Sequence, residues 1–285
     1  MTIRGGNGCI LTLSRHVPGY ITGADLIEDY TGWSAGDKAT FQSWLKNQVY
    51  RFTDWASDTR STNWGAVGSA ATEYIADYLA NSNLTLVDRD GKSFTPHGAY
   101  VEARQRALDR VNSNSYMYNS VCSNTTGLGI RWYGGIPEET GRGTTGCDGQ
   151  YLLTTDSSYS YMHAHLSGTV LQAELLLRRG DHSLFDNIKS DGSGSILRAI
   201  LYVIANPNDP NAPTHWYSWM DSRKSIIEIS YRYYRNSAIA KQLGIGTSSR
   251  NIDGAGNTAM PHFGTLTHGF AVGENPGPPP VTPAP

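Results

Sequence analysis

Between Asp156 and Gly180 the chain carries one pattern that restricts its fold more than any other. Tyr159, His163, Leu166, Val170, Ala173 and Leu177 recur in steps of 4, 3, 4, 3 and 4. Only an α-helix brings residues at that spacing onto one face. Asp156 suits the helix start, because its carboxylate can accept from free backbone N–H groups there. Arg178 and Arg179 suit the carbonyl-rich end, and Gly180 suits the exit from the helix. The same period predicts a helix through Phe41, Trp44, Leu45, Val49 and Phe52, after a start signal at Ser34 to Asp37. It predicts another through Trp64, Val67, Ala71, Tyr74, Ile75 and Tyr78. Further helices are expected over 100–111, 196–205 and 224–243, and near 24–30. Strand signals are few and short. Moderate linkers suit antiparallel helical hairpins. The expected fold is therefore all-α, an (α/α) toroid or an incomplete one.

One stretch breaks the pattern. Residues 112–155 show no clear period and include GIRWYGGIPEETGRGTTGCDG. A loop of that length inside a compact domain is usually functional or disordered. Its aromatic and arginine content argues for function, so it is expected to border the active site. Residues 1–272 are read as a single catalytic domain. Gly273 to Pro285, GENPGPPPVTPAP, favours extended polyproline II and reads as a linker or tail, with an appended module as one expectation.

The formal net charge of -2 gives no overall attraction to nucleic acid or to an anionic membrane. No apolar run reaches the roughly 18 to 20 residues of a membrane span. An anionic substrate must therefore be held by a local basic site. The aromatic residues are 17 Tyr and 7 Trp against 6 Phe, and the excess of flat rings with polar edges leans toward sugar binding. Cys122 and Cys147 flank one Gly-rich segment within the long loop and could form a disulfide that leaves Cys9 free, a pattern a secreted protein tolerates. The cysteines lack CxxC spacing, so no structural zinc is expected. No cofactor or metal is expected either. The opening MTIRGGNGCILTLSRH is too polar and glycine-rich for a signal peptide, yet the expected localisation is extracellular.

Three stretches, in order, resemble the alginate lyase family of helical polysaccharide lyases. The first is Thr62-Asn63-Trp64-Gly65-Ala66, leading to Ile75-Ala76-Asp77-Tyr78-Leu79. The second is SSYSYMHAHLSGTVLQAELLLRRGD, from Ser157 to Asp181. The third is Ile227-Glu228-Ile229-Ser230-Tyr231-Arg232-Tyr233-Tyr234. The resemblance implies an α/α toroid and cleavage of a uronate polymer by β-elimination. It implies a substrate-facing Asn63 and a catalytic tyrosine on the Tyr/His-rich helix. Two departures stand out. Asn63 is followed by Trp64 where the family commonly has His, and Asp156, Ser157 and Ser158 occupy the region where it carries an Arg. Arg142 or Arg131 is expected to supply that charge. The polymer, alginate or polyglucuronate in type, stays open.

β-Elimination removes the C5 proton of a uronate and expels the C4 oxygen. The carboxylate must be held so that developing charge is stabilised. Asn63, at a helix start whose dipole favours anions, suits that role; a simple N-cap is its structural alternative. The base and acid are sought in Tyr159, Tyr161, His163 and His165. Residues 161 and 165 share one face and 159 and 163 another, about 200° away. The 159/163 pair continues into the apolar stripe. The 161/165 pair continues into Gly168 and Leu171, a thinner face expected to border an open lumen. Tyr161 and His165 are therefore favoured, His163 stays in play, and Tyr159 is placed among substrate contacts. A tyrosine base works better beside a positive charge, which favours the phenolate, hence the interest in Arg142 and Arg131. Trp64, Trp132 and Tyr133 are candidate platforms for sugar rings. Two competing readings are a glycoside hydrolase using two of Glu138, Glu139, Asp148 and Asp156, and a glycan-binding module without chemistry.

Overall fold

The computed structural model describes residues 7–112, 129–140, 156–204 and 225–245. The fold is all-α. In chain order the helices are α1 (Asn7–Leu26), α2 (Ala35–Trp44), α3 (Tyr50–Thr59), α4 (Asn63–Tyr78), α5 (Pro96–Asn112), α6 (Pro137–Thr140) and α7 (Asp156–Arg178). They continue with α8 (Ile196–Ile204), α9 (Ser225–Tyr234) and α10 (Ser237–Leu243). A π-helical turn, Leu45–Val49, joins α2 to α3. Among the described residues the sheet is a two-residue ladder, with β1 (Leu86–Val87) antiparallel to β2 (Ser93–Phe94).

Two helix expectations need correction. The helix expected near 24–30 is instead the last turn of α1, which starts at Asn7 and ends at Leu26. Its buried stripe of Ile10, Ser14, Val17, Ile21 and Ala24 has helical spacing. Gly8, Gly19, Gly23 and Pro18 hide that spacing from a reading based on propensity. The single helix expected over 224–243 is two. Arg235 sits in the left-handed region at φ 50° and breaks the chain. Asn236 then restarts it, its side chain accepting from the N–H groups of Ala238 and Ile239.

Helix α4 is the hub. It packs against α1, α3, α5 and α7, and twelve of its sixteen residues are buried. Small residues permit this. A Cβ at Gly68 would lie 2.8 Å from Ala56 Cβ of α3, so no larger residue fits at that crossing. Two apolar clusters meet along α4. One joins Ala70 to α5, α7, α8, α9 and α10; the other joins Ala71, Ile75 and Ala76 to α1, the π-turn, β1 and α5. Polar contacts lock the hub in register. Ser57 and Ser69 share a hydrogen bond of 3.1 Å, and Ser69 Oγ and Gln172 Nε2 both donate to Ala103 O.

Glu73 lies in the middle of this hub with no exposure. Burial pushes its carboxyl well above the usual range, and Gln172 on α7 offsets this in part. A carboxyl whose folded pKa exceeds its unfolded one stabilises the fold fully below the unfolded value. That stability is lost as pH rises through the folded value. Glu73→Gln is therefore expected to gain stability relative to the parent as pH rises from 4.5 upward. Urea midpoints of both proteins across pH 4 to 9 check this; a constant gap would refute it.

Candidate functional site

The site is built where α4 begins. Thr62 precedes the helix, and its carbonyl accepts from the N–H groups of Gly65 and Ala66. Asn63 is the first helical residue and is fully buried. It is therefore not the N-cap that sequence reasoning weighed as its structural use. Glycine is required at position 65, because a Cβ there would land on Arg60 O. The turn from α3 into α4 is tight for this reason, and it presents Asn63 inward.

Helix α7 meets α4 at almost the same level. A Cβ on Gly168 would lie 2.6 Å from both Ala66 O and Val67 N. The two backbones touch there, one turn beyond Asn63 on α4 and one turn beyond His165 on α7. The face of Gly168 and Leu171, expected to border a lumen, is instead buried, and Gly168 faces α4. The small side chain serves close approach rather than openness.

The group that joins these helices is Glu139, on the one-turn helix α6. Its carboxylate has no exposure. One oxygen accepts the backbone N–H of Asn63 and lies 3.2 Å from His165 Nδ1; the other accepts from Asn63 Nδ2 at 3.3 Å. A buried carboxylate thus sits on the N-terminus of α4, where the helix dipole favours negative charge. With Nδ1–H of His165 donated to that carboxylate, Nε2 carries the lone pair. The geometry allows that tautomer, in which the imidazole accepts a proton at Nε2. Asn63 Oδ1 is buried and has no partner among the described residues, so the amide keeps an acceptor in hand.

Tyr161 stands one helical turn before His165 on the same face of α7 and is half-buried. Arg15 of α1 lies close enough to interact with it electrostatically. Burial lowers the Arg15 pKa, and the interaction with Tyr161 opposes that shift. Arg15 thus brings a guanidinium from α1 within electrostatic range of Tyr161. His163 points away from this face. It is buried, and its Nδ1 lies 3.3 Å from Ser167 Oγ, whose hydroxyl donates to His163 O. Trp64 is half-buried under the guanidinium of Arg60, 5.5 Å from the ring centroid.

Arg131 and Trp132 belong to a turn ahead of α6. Arg131 N donates to Gly135 O, and Gly134 N to Arg131 O. The turn is pinned to α8, where Arg198 donates to Trp132 O and Tyr133 packs edge-on against Tyr202. Trp132 is exposed, at 57%. Tyr159 lies on the backbone of α7, but its side chain, together with Arg142, Asp148, Cys122 and Cys147, lies outside the described residues. Cys9 is a free, exposed thiol. No helix among the described residues is long and apolar enough to cross a membrane.

Two residues of the cluster escaped the sequence reading in these roles. Glu139 was weighed only as a hydrolase carboxylate. Pro137 followed by two acidic residues is a helix-start signal, and that signal marks α6. Arg15 belongs to the helix hidden by glycines and Pro18. With the buried carboxylate, the amide, the imidazole and the phenol placed, the architecture can be compared with known structures.

The fold is similar to that of an alginate lyase. The match is a crystal structure of an alginate lyase from Bacteroides ovatus, at 12% sequence identity and a TM-score of 0.50. It covers 79% of this chain and 50% of the other, so this chain spans about half the length of that protein. At that identity the likeness speaks for the fold alone. No protein-family model and no curated protein sequence matches the chain.

Proposed function

We propose that this chain is a polysaccharide lyase that cleaves a uronate-containing polymer by β-elimination. The observation that carries the reading is the gathering of Asn63 and His165 on one buried carboxylate, with Tyr161 a turn away on the same face of α7. That arrangement lies on a scaffold similar to an alginate lyase. The second N–H of the Asn63 amide, with Arg15, holds the uronate carboxylate and stabilises the charge that develops on it. Tyr161 and His165 divide the proton work: one takes the C5 proton and the other protonates O4. The C5–H electron pair becomes the C4–C5 double bond, the C4–O4 bond breaks, and O4 leaves as a hydroxyl. Glu139 orients Asn63 and His165 without touching substrate. A carboxylate already bonded to three donor groups is poorly placed to protonate a glycosidic oxygen, which counts against the hydrolase reading.

The product's C4–C5 double bond absorbs ultraviolet light, and a hydrolysis product does not. Alginate, polyglucuronate and glycosaminoglycans should be tested as a panel. Absorbance gained on at least one is expected; no gain on any member sinks the reading. New reducing ends without absorbance would favour the hydrolase, and retention on a glycan affinity gel without either would favour a binding module.

The positioning role of Glu139 has its own test. Glu139→Gln keeps the shape but replaces acceptor oxygens and charge. Turnover is expected to fall about 10- to 100-fold, by analogy with residues that orient metal ligands from outside the coordination shell. Its pH profile should also change. Glu139→Ala leaves buried donors unpaired and should cost about 2 kcal/mol or more of stability. A Gln variant with the parent's rate and pH profile would make Glu139 a purely structural cap.

A further inference from the structure

Beside Asn63 the surface carries a group of side chains that the elimination chemistry does not use. Arg60 ends α3, three residues before Asn63. Its guanidinium lies over two indoles, 4.9 Å from the Trp55 ring centroid and 5.5 Å from that of Trp64. Arg89, on the exposed turn between β1 and β2, also lies 4.9 Å over Trp55. Trp55, Arg60 and Trp64 are half-buried and Arg89 is exposed.

Some arginines of the described residues are neutralised by a neighbouring carboxylate and others are not. Arg104, Arg106, Arg178 and Arg179 each pair with a carboxylate. Neither Arg60 nor Arg89 has a carboxylate partner among the described residues. Asp58 and Asp88 do not supply one. Asp58 faces Arg106 at 3.5 Å, and Asp88 is taken by the backbone N–H groups of Asp90 and Lys92. Arg60 Nε is in addition buried without a partner.

A guanidinium lying over an indole leaves terminal N–H groups at its edge that can donate to a planar carboxylate. The stack also holds the long side chain in place, which lowers the entropy lost on binding. We propose that Arg60 and Arg89, ordered on Trp55 and Trp64, form an anion subsite that takes the carboxylate of a second uronate. This sugar lies next along the polymer from the one at Asn63. The proposal rests on the lyase reading for the identity of the sugar at Asn63. It makes the recognised substrate a run of acidic sugars rather than a single uronate in a neutral chain.

The test is equilibrium binding of a β-1,4-linked mannuronate tetrasaccharide, followed by tryptophan fluorescence and calorimetry, with cellotetraose as the neutral counterpart. The full chain carrying Tyr161→Phe serves as parent, so that substrate survives the titration. Arg89→Ala is the first variant, because Arg89 is exposed and its removal leaves no buried group unpaired. Its Kd for the acidic tetrasaccharide is expected to rise about tenfold, with weaker salt dependence. Arg89→Lys should fall between the two. Arg60→Ala combined with Arg89→Ala should lose most of the preference over cellotetraose, with circular dichroism confirming the fold. Three outcomes overturn the subsite: no uronate binding by the parent, equal binding of cellotetraose, or unchanged binding in Arg89→Ala.

The two readings fail separately. Arginine-dependent uronate binding in a wild-type chain that makes no unsaturated product would sink the lyase and leave the subsite. Product formation with binding indifferent to both arginines would sink the subsite alone.

Discussion

Tyr161→Phe is expected to reduce formation of unsaturated product by about 10²- to 10⁴-fold, the range for losing a positioned acid or base. Binding of an acidic oligosaccharide should stay within about twofold, because the ring and its packing remain and only a hydroxyl oxygen is removed. The expectation comes from placement. Tyr161 is half-buried, one turn before His165, and within electrostatic range of Arg15. His165 is held through Nδ1 by Glu139, so proton transfer at its other nitrogen and at the phenol falls on one face of α7. The loss should appear in kcat rather than KM. Initial rates of absorbance gain, read beside Kd in the same buffer, check this. Unchanged rates would shift the assignment to Tyr159 or His163.

The sequence carried some of this arrangement and concealed the rest for physical reasons. Helix α7 was legible because its apolar stripe is long and unbroken, and α4 because Trp64, Val67, Ala71 and Ile75 repeat on one face. The 161/165 pairing followed from helix geometry alone. Helix α1 was not legible in the same way. Its buried stripe is regular, but Gly8, Gly19, Gly23 and Pro18 are poor helix formers, and tertiary packing against α4 overrides them. The split between α9 and α10 turns on a single left-handed residue, Arg235, a conformation that a sequence rarely announces outside glycine and asparagine. Glu139 was hardest to see. It stands 76 residues from Asn63 in the chain, and a long-range hydrogen bond leaves no periodic trace. Arg15 and Tyr161 lie farther apart still in the chain.

Gly168 gives the sharpest separation between packing and propensity. In α1, Gly23 has nothing within 4 Å of the position a Cβ would take. Gly23→Ala should therefore stabilise the protein by about 0.5–1 kcal/mol, since alanine loses less chain entropy in a helix. The same substitution at Gly168 should do the reverse. Its Cβ would meet the backbone of Ala66 and Val67 at 2.6 Å, and backbone within a buried helix cannot turn aside as a flexible side chain can. Helices α4 and α7 would have to part. Gly168→Ala is expected to cost about 3 kcal/mol, the upper end for overpacking a core, and Gly168→Val more. The activity loss should exceed the stability loss. Asn63 and His165 lie one turn back from this contact on their respective helices, and both are tied to Glu139. Parting the helices stretches those bonds even in molecules that remain folded. Urea midpoints at constant m-value give the first quantity, and kcat under fully folded conditions gives the second. A Gly168→Ala protein as stable and active as the parent would mean that the α4–α7 contact does not set the distance between Asn63 and His165.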